Sequence, residues 1–270
     1  MAVNKNLTII FALFYLGVVI YLLLFFLVPD IQSALIKGRH GIASLTEGPN
    51  YFWALLISFL ICFIGSASIG FPIPFPFVLF SLSNSVYIRY RNYGLIMKEI
   101  LSNAPFWFEI LGIAIVGGLG CACGELTGFL LGRGAKKVTD ISDSKILENI
   151  QGFGRLLLKN PKRMYLYVFI AAALPIPDDP LWISLGLLEK KFKFYKCLIW
   201  GWAGKNITTI FYVTLPIMIT LGIMATGMEF NDISSIISEA IMLLVSLTII
   251  YFIMAFNWNK YVEKKTEKSI

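Results

Sequence analysis

Four ionisable residues lie in or beside apolar stretches of this sequence, and they are the first candidates for chemistry: Glu125, Asp178, Asp179 and Lys205. A carboxylate or ammonium deep in an apolar helix must be paired or hydrated, so it indicates a functional site by default. Adjacent carboxylates repel each other and lose hydration, which predicts that Asp178 or Asp179 takes up a proton near neutral pH. The alternative role is to cap the helix that follows, and the two roles are compatible. We expect the four residues to form one cluster that holds an extra proton or a cation.

The composition places these residues in a membrane protein. Of 270 residues, 57% are hydrophobic and 14% are charged, and the mean hydropathy is +0.76, whereas a soluble domain has about 25% charged residues. The formal charge of +7 comes from basic residues that flank apolar runs. A nucleic-acid-binding protein would gather them into a patch on a polar face. We therefore predict an integral membrane protein that binds no nucleic acid.

Four apolar segments are long enough to cross about 30 Å of hydrocarbon as helices, which takes about 20 residues each. They are residues 7–28, 105–131, 197–224 and 233–256. The first is too long for the core of a signal peptide. The predicted fold class is an all-α integral membrane protein with about four transmembrane helices.

Two further apolar stretches, residues 51–88 and 164–188, are each interrupted by a Pro-Ile-Pro sequence. The prolines that set these two turns are Pro72, Pro74, Pro175 and Pro177. Proline lacks an amide hydrogen and clashes with the preceding turn, so a helix cannot continue through either sequence. The arms that follow, of about 13 and 8 residues, are too short to cross. We predict two re-entrant helical hairpins in an inverted repeat, with a transporter-type site between them; two unrelated proline kinks are the alternative.

Glycines and cysteines in these segments predict packing rather than cofactor chemistry. Glycine recurs every four residues along the second long span and offers a groove for close helix approach, at Gly120, Gly124, Gly128 and Gly132. The cysteines lie among apolar residues without the spacing of a zinc site or the context of a disulfide framework, at Cys62, Cys121, Cys123 and Cys197. We expect no metal and no cofactor.

Basic residues also predict the orientation and the domain limits. Placing both termini in the cytoplasm puts 17 Lys and Arg residues on that side, as the positive-inside rule favours for a cell-membrane protein. Five lie in loops on the other side: Lys37, Arg39, Arg89, Arg91 and Lys98. We divide the chain into an N-terminal transmembrane helix (1–30), a core (51–227) and a C-terminal transmembrane helix with a basic cytoplasmic tail (233–270). Residues 141–158 are predicted to form an amphipathic helix in the cytoplasmic interface.

The core resembles a known family. The sequence G-E-L-T-G-F-L-L-G-R, which begins at Gly124, is similar to the G-D-x-x-G-Y-x-x-G-R pattern of the DedA/VTT family, the "SNARE-associated Golgi protein" group. I-G-F-P-I-P at 69–74 resembles that family's first re-entrant loop, and the stretch from Ala173 to Gly201 resembles its second. The resemblance covers about 60–210. It implies two facing re-entrant hairpins and lipid movement across the bilayer, either phospholipid scrambling or recycling of polyprenyl-phosphate carriers.

Two departures from the family pattern concern charge. Many bacterial members have an acidic residue before the first loop, where this chain has Ser66, Ala67 and Ser68. The family's second loop reads R-F-x-P-G-x-R, and its arginine positions are Ala172 and Asp178 here. Arginine is the natural bidentate binder of phosphate. The sequence therefore resembles a divergent, archaeal-type branch with an acidic second loop.

These features favour a lipid transporter or scramblase, a flippase-type activity linked to protons, and not an enzyme. The expected partners are membrane lipids and protons or cations, and assembly into a homo-oligomer stays open. One alternative is a non-catalytic scaffold for membrane assembly, which would not need buried carboxylates. The other is an intramembrane enzyme acting on lipid phosphates, which would usually recruit histidine, paired bases or metal ions. The single histidine, His40, lies in a polar segment.

Overall fold

The computed structural model describes residues 5–44, 46–68, 75–138, 161–174, 178–187, 192–225 and 232–255. Helices make up almost all of these residues, and the described ranges contain no strand, so the predicted all-α class is confirmed. In chain order the helices are α1 (Lys5–Leu27), α2 (Pro29–Ser44), α3 (Tyr51–Ala67), α4 (Phe75–Asn92), α5 (Met97–Leu101), α6 (Ala104–Val138), α7 (Pro161–Ala173), α8 (Asp179–Leu187), α9 (Phe194–Ala225) and α10 (Asp232–Ala255). The segment 141–158 and the basic tail lie outside the described residues.

Four helical segments are long and apolar enough to cross a membrane: Thr8–Leu27, Gly48–Ala67, Ala104–Gly134 and Phe194–Ala225. Three of them match predicted spans. The segment Gly48–Ala67 was assigned instead to the first hairpin. The predicted fourth span corresponds to α10. Its apolar stretch Ile233–Val245 is shorter than the four segments above. The four apolar helices support an integral membrane protein.

The first hairpin consists of α3 and α4. At the start of α3 the Tyr51 hydroxyl donates to the backbone carbonyl of Glu109 at 2.6 Å, and near the end of α4 Arg89 pairs with the carboxylate of the same Glu109. Phe75, the first residue of α4, lies beside Gly65 near the end of α3. The start of α3 and the end of α4 therefore lie at the same height along α6, beside Glu109.

The second arm of this hairpin is longer than predicted. Helix α4 has 18 residues instead of about 13, a rise of about 27 Å. The predicted arm ended at residue 88, just before Arg89, whose charge was taken to lie in a loop. Residues 82–90 are all buried in the protein, so the polar side chains among them face other helices and the helix continues through them.

The second hairpin consists of α7 and α8, and their relative direction can be worked out from the long helices on which they pack. Asn206 of α9 lies beside Gly118 of α6, and Phe194 stacks on Phe129 with ring centroids 4.1 Å apart, so α6 and α9 are antiparallel. Helix α7 packs along α9 and runs in the same direction as α9. Helix α8 packs along α6 and runs in the same direction as α6. The arms α7 and α8 are therefore antiparallel to each other. Helix α8 has nine residues, close to the predicted eight.

Both hairpins dock in the same way on the long helix that follows them. A Cβ at Gly124 would meet three atoms of α3: the carbonyl oxygen of Phe63, the Cβ three residues later and the amide nitrogen four residues later. A Cβ at Gly204 would meet the same three atoms of α7, namely the carbonyl oxygen of Phe169, the Cβ three residues later and the amide nitrogen four residues later. Because α6 and α9 are antiparallel, the two halves are inverted relative to each other. This shared geometry is what an internal inverted repeat predicts.

The prolines that define both turns, Pro72, Pro74, Pro175 and Pro177, lie outside the described residues, and the turn conformation stays a prediction. The terminal helices pack on each other, and α10 also contacts α4 of the core. Phe11 and Val18 of α1 form a buried apolar cluster with Ala240 and Leu247 of α10. Helix α2, which hydropathy did not predict, packs against α4.

Candidate functional site

A buried ion-pair cluster lies where the two hairpins meet. Lys205 Nζ is 2.5 Å from Asp178 Oδ1 and 3.0 Å from Glu125 Oε1. The residues are only 2% (Glu125), 6% (Asp178) and 8% (Lys205) exposed. Trp182 donates its indole Nε1–H to Asp178 Oδ2 at 3.1 Å. The structure thus brings together three of the four residues that the sequence grouped.

The cluster joins equivalent positions of the two halves. Glu125 directly follows the docking glycine Gly124, and Lys205 directly follows Gly204. The two charged side chains therefore leave α6 and α9 at matching places and meet across the repeat. Asp178 is a third charge, contributed by the second hairpin alone.

Asp178 takes the backbone place of a helix cap while its carboxylate is used elsewhere. Its carbonyl oxygen accepts from the amides of Leu181 at 2.9 Å and Trp182 at 3.3 Å, so the first turn of α8 closes on it. Its carboxylate oxygens bind Lys205 and the Trp182 indole. Helix α8 begins at Asp179, whose side chain lies outside the described structure.

The ends of α3 and α7, which lead into the two turns, lie beside threonine hydroxyls near this cluster. Thr208 Oγ1 donates to the carbonyl of Ala172 in the last turn of α7 at 3.0 Å. Thr127 Oγ1 lies 3.3 Å from the carbonyl oxygen of Ala67 at the end of α3. Glu125 is eight residues from the exposed Arg133, about 12 Å along the helix axis. The cluster therefore lies well inside the protein, near the ends of α3 and α7.

When ionised, two carboxylates and one ammonium carry a formal charge of −1. Excess buried charge is expensive, so the arrangement favours uptake of one proton or one cation. Within the described ranges, no group of three or more His, Cys, Asp or Glu side chains is arranged to hold a metal ion.

The glycine groove serves two different helices. A Cβ at Gly120 or Gly124 would collide with the backbone of α3, and one at Gly132 would collide with the carbonyl oxygen of Ile183 in α8. Gly128 is buried between them. The predicted close packing thus serves both hairpins, since α6 receives the first arm of one and the second arm of the other.

Sequence reasoning missed a second polar region, at the open end of the first hairpin, where α3 begins and α4 ends. Arg89 was counted as a loop charge, and Glu109, its partner, was not singled out. Deeper along α4, Asn84 donates to Ser235 Oγ at 2.7 Å and to Glu239 Oε1 at 2.9 Å in α10. The available signal was the polar content of a segment that was nonetheless predicted to enter the membrane.

Comparisons of the chain with protein families, with curated proteins and with solved structures found no match. The similarity of the glycine-rich motif to the DedA/VTT pattern therefore stays a resemblance carried by the residues quoted above.

Proposed function

We propose that this protein moves a lipid across the bilayer, as a transporter or scramblase whose cycle is linked to proton uptake. The observation that carries the proposal is the buried cluster of Asp178, Lys205 and Glu125, which joins the second hairpin to α6 and α9. The resemblance to the DedA/VTT family supports lipid as the transported molecule. The charge asymmetry of the loops supports a cell-membrane location with both termini in the cytoplasm.

Energetics favour a transport role over a purely structural one. Replacing a buried ion pair by well-packed apolar residues is often neutral or stabilising, so a scaffold gains little from three buried charges. Broken helices at membrane depth are tolerated where they are buried in protein or line a wet cavity. The cluster is buried in this structure, so passage of a polar headgroup requires that the site opens to water during the cycle.

Protonation of Asp178 would link the cluster to movement. Ionised, Asp178 holds the tip of the second hairpin to Lys205 on α9. Once neutral, it keeps weaker hydrogen bonds, because charge-assisted bonds are roughly twice as strong as neutral ones. Lys205 then remains paired with Glu125, which belongs to a long helix and not to a hairpin. The second tip is thereby released while the long helices stay joined.

The test is the rate of lipid flipping against pH in liposomes, with a fluorescent phospholipid and with a polyprenyl phosphate. Asp178→Asn should slow flipping and flatten its pH dependence, because the side chain no longer exchanges a proton. Asp30→Asn, the same chemical change at an exposed position in α2, is the matched control and should behave as wild type. Equal rates and identical pH profiles for Asp178→Asn and wild type, at equal incorporation, would refute the proposal.

A further inference from the structure

Arg89 is a buried arginine near the end of α4, and some of its N–H donors are not used. It is 5% exposed, whereas the other arginines with described side chains, Arg91, Arg133 and Arg163, are exposed. Its Nη2 donates to the carboxylate of Glu109, and its Nε and Nη1 have no hydrogen-bond partner among the described residues. A buried donor left without a partner is unfavourable, because it has lost its hydrogen bonds to water. The site is therefore incomplete as a purely internal ion pair.

The surroundings of Arg89 determine how a ligand would reach it. The Glu109 side chain is 25% exposed and that of Arg89 only 6%, so the pair is reached from the side of Glu109. The Tyr90 ring lies beneath the guanidinium, with Arg89 Cζ 5.2 Å from the ring centroid. The Tyr51 hydroxyl fixes the backbone of α6 at Glu109. These contacts orient the guanidinium, and Glu109 occupies the place that an external oxyanion would take.

We propose that Arg89 binds the phosphate group of an anionic ligand in competition with Glu109, at the open end of the first hairpin. A guanidinium offers five N–H donors in a planar fork that matches phosphate oxygens bidentately. The incoming phosphate replaces the carboxylate on Nη2 and uses the remaining donors. Glu109 then turns toward its exposed side, so the guanidinium is never left buried without an anion.

This site is separate from the cluster at the hairpin tips. Glu109 and Glu125 are 16 residues apart on α6, about 24 Å along the axis. Phosphate binding at Arg89 requires no lipid movement and no titration of Asp178. Calorimetry with phosphate probes and flipping in liposomes therefore test the two proposals separately, and the failure of one does not imply the failure of the other.

The test is isothermal titration calorimetry on the purified full-length protein in detergent. The probes are a short-chain phosphatidic acid, inorganic phosphate and the matching short-chain diacylglycerol, which lacks the phosphate. We expect phosphatidic acid to bind and diacylglycerol not to bind. Comparable binding of inorganic phosphate identifies free phosphate as a ligand, and binding of the lipid alone identifies a headgroup. Equal binding of phosphatidic acid and diacylglycerol would overturn the proposal, as would no binding of either phosphate probe.

Four variants locate the site. Arg89→Gln should weaken phosphate binding at least about 10-fold, whereas Arg91→Gln, the same charge change two residues away, should leave it within about twofold. Glu109→Gln should strengthen binding about 10-fold, because it removes the internal competitor. The double variant Arg89→Gln/Glu109→Gln leaves no buried charge unpaired, and it should fold and fail to bind. Equal losses in Arg89→Gln and Arg91→Gln, or unchanged affinity in Glu109→Gln, would overturn the proposal.

Discussion

The two hairpins can be compared arm by arm, since each docks its first arm on a glycine of the long helix that follows. Their second arms differ. In the first hairpin α4 begins with Phe75, whose ring meets Tyr212 edge-on at a centroid distance of 6.1 Å. In the second hairpin α8 is preceded by Asp178, which binds Lys205. The second arm of one hairpin thus begins on an aromatic contact, and that of the other begins on an ion pair.

The second arms also differ in length and enclosure. Helix α4 has 18 residues and is packed by α2, α6, α9 and α10, whereas α8 has nine residues and packs mainly on α6. A long helix enclosed on several sides resists displacement, because moving it would open the core. In the proposed cycle the first hairpin is therefore the fixed element, and the second hairpin is the one that moves.

The largest expected effect comes from removing the shared cation. Lys205→Met leaves two buried carboxylates without their ammonium partner, and breaking a buried pair in this way costs about 3–5 kcal/mol. Thermal unfolding in detergent at neutral pH measures the loss. Lys193→Met, at an exposed position, should have little effect. A Lys205→Met protein as stable as wild type would show that the charges are hydrated and not buried.

A smaller effect tests whether the two hairpins dock alike. Gly124→Ala and Gly204→Ala each place a Cβ against the backbone of a first arm, and overpacking of this kind costs about 1–3 kcal/mol. The two losses should be similar, because the contacts are equivalent. Gly222→Ala is the control: nothing lies within 4 Å of its Cβ position, and alanine favours a helix over glycine by about 1 kcal/mol. Clearly unequal losses at the two docking glycines would contradict the repeat.

The smallest effect separates the two tips. Thr208→Val removes a buried hydrogen bond of 3.0 Å to the end of α7, a loss of about 1 kcal/mol. Thr127→Val should cost less, because Thr127 is only half-buried, its contact with Ala67 is longer at 3.3 Å, and it also donates within its own helix to Gly124. Chemical denaturation of both variants measures the difference. The reverse order would mean that the first tip depends more on its polar contact than the second.

Much of this arrangement follows from composition and spacing. Long apolar runs must become helices in a bilayer because every backbone polar group needs an internal partner, and this requirement predicted the all-α class and three of the spanning segments. The expense of charge in apolar surroundings singled out Glu125, Asp178 and Lys205, and the pairing of these three follows from their complementary charges.

Tertiary structure alone decided what surrounds each helix. Hydropathy scored α4 as a short arm because it cannot distinguish a polar residue that faces water from one buried against another helix. For the same reason Arg89 was counted as a loop charge, and its pairing with Glu109 depends on the approach of α4 to α6. The matched positions of Gly124 and Gly204 could not be predicted from the sequence either, because equivalent contacts require equivalent backbone geometry and not similar sequence.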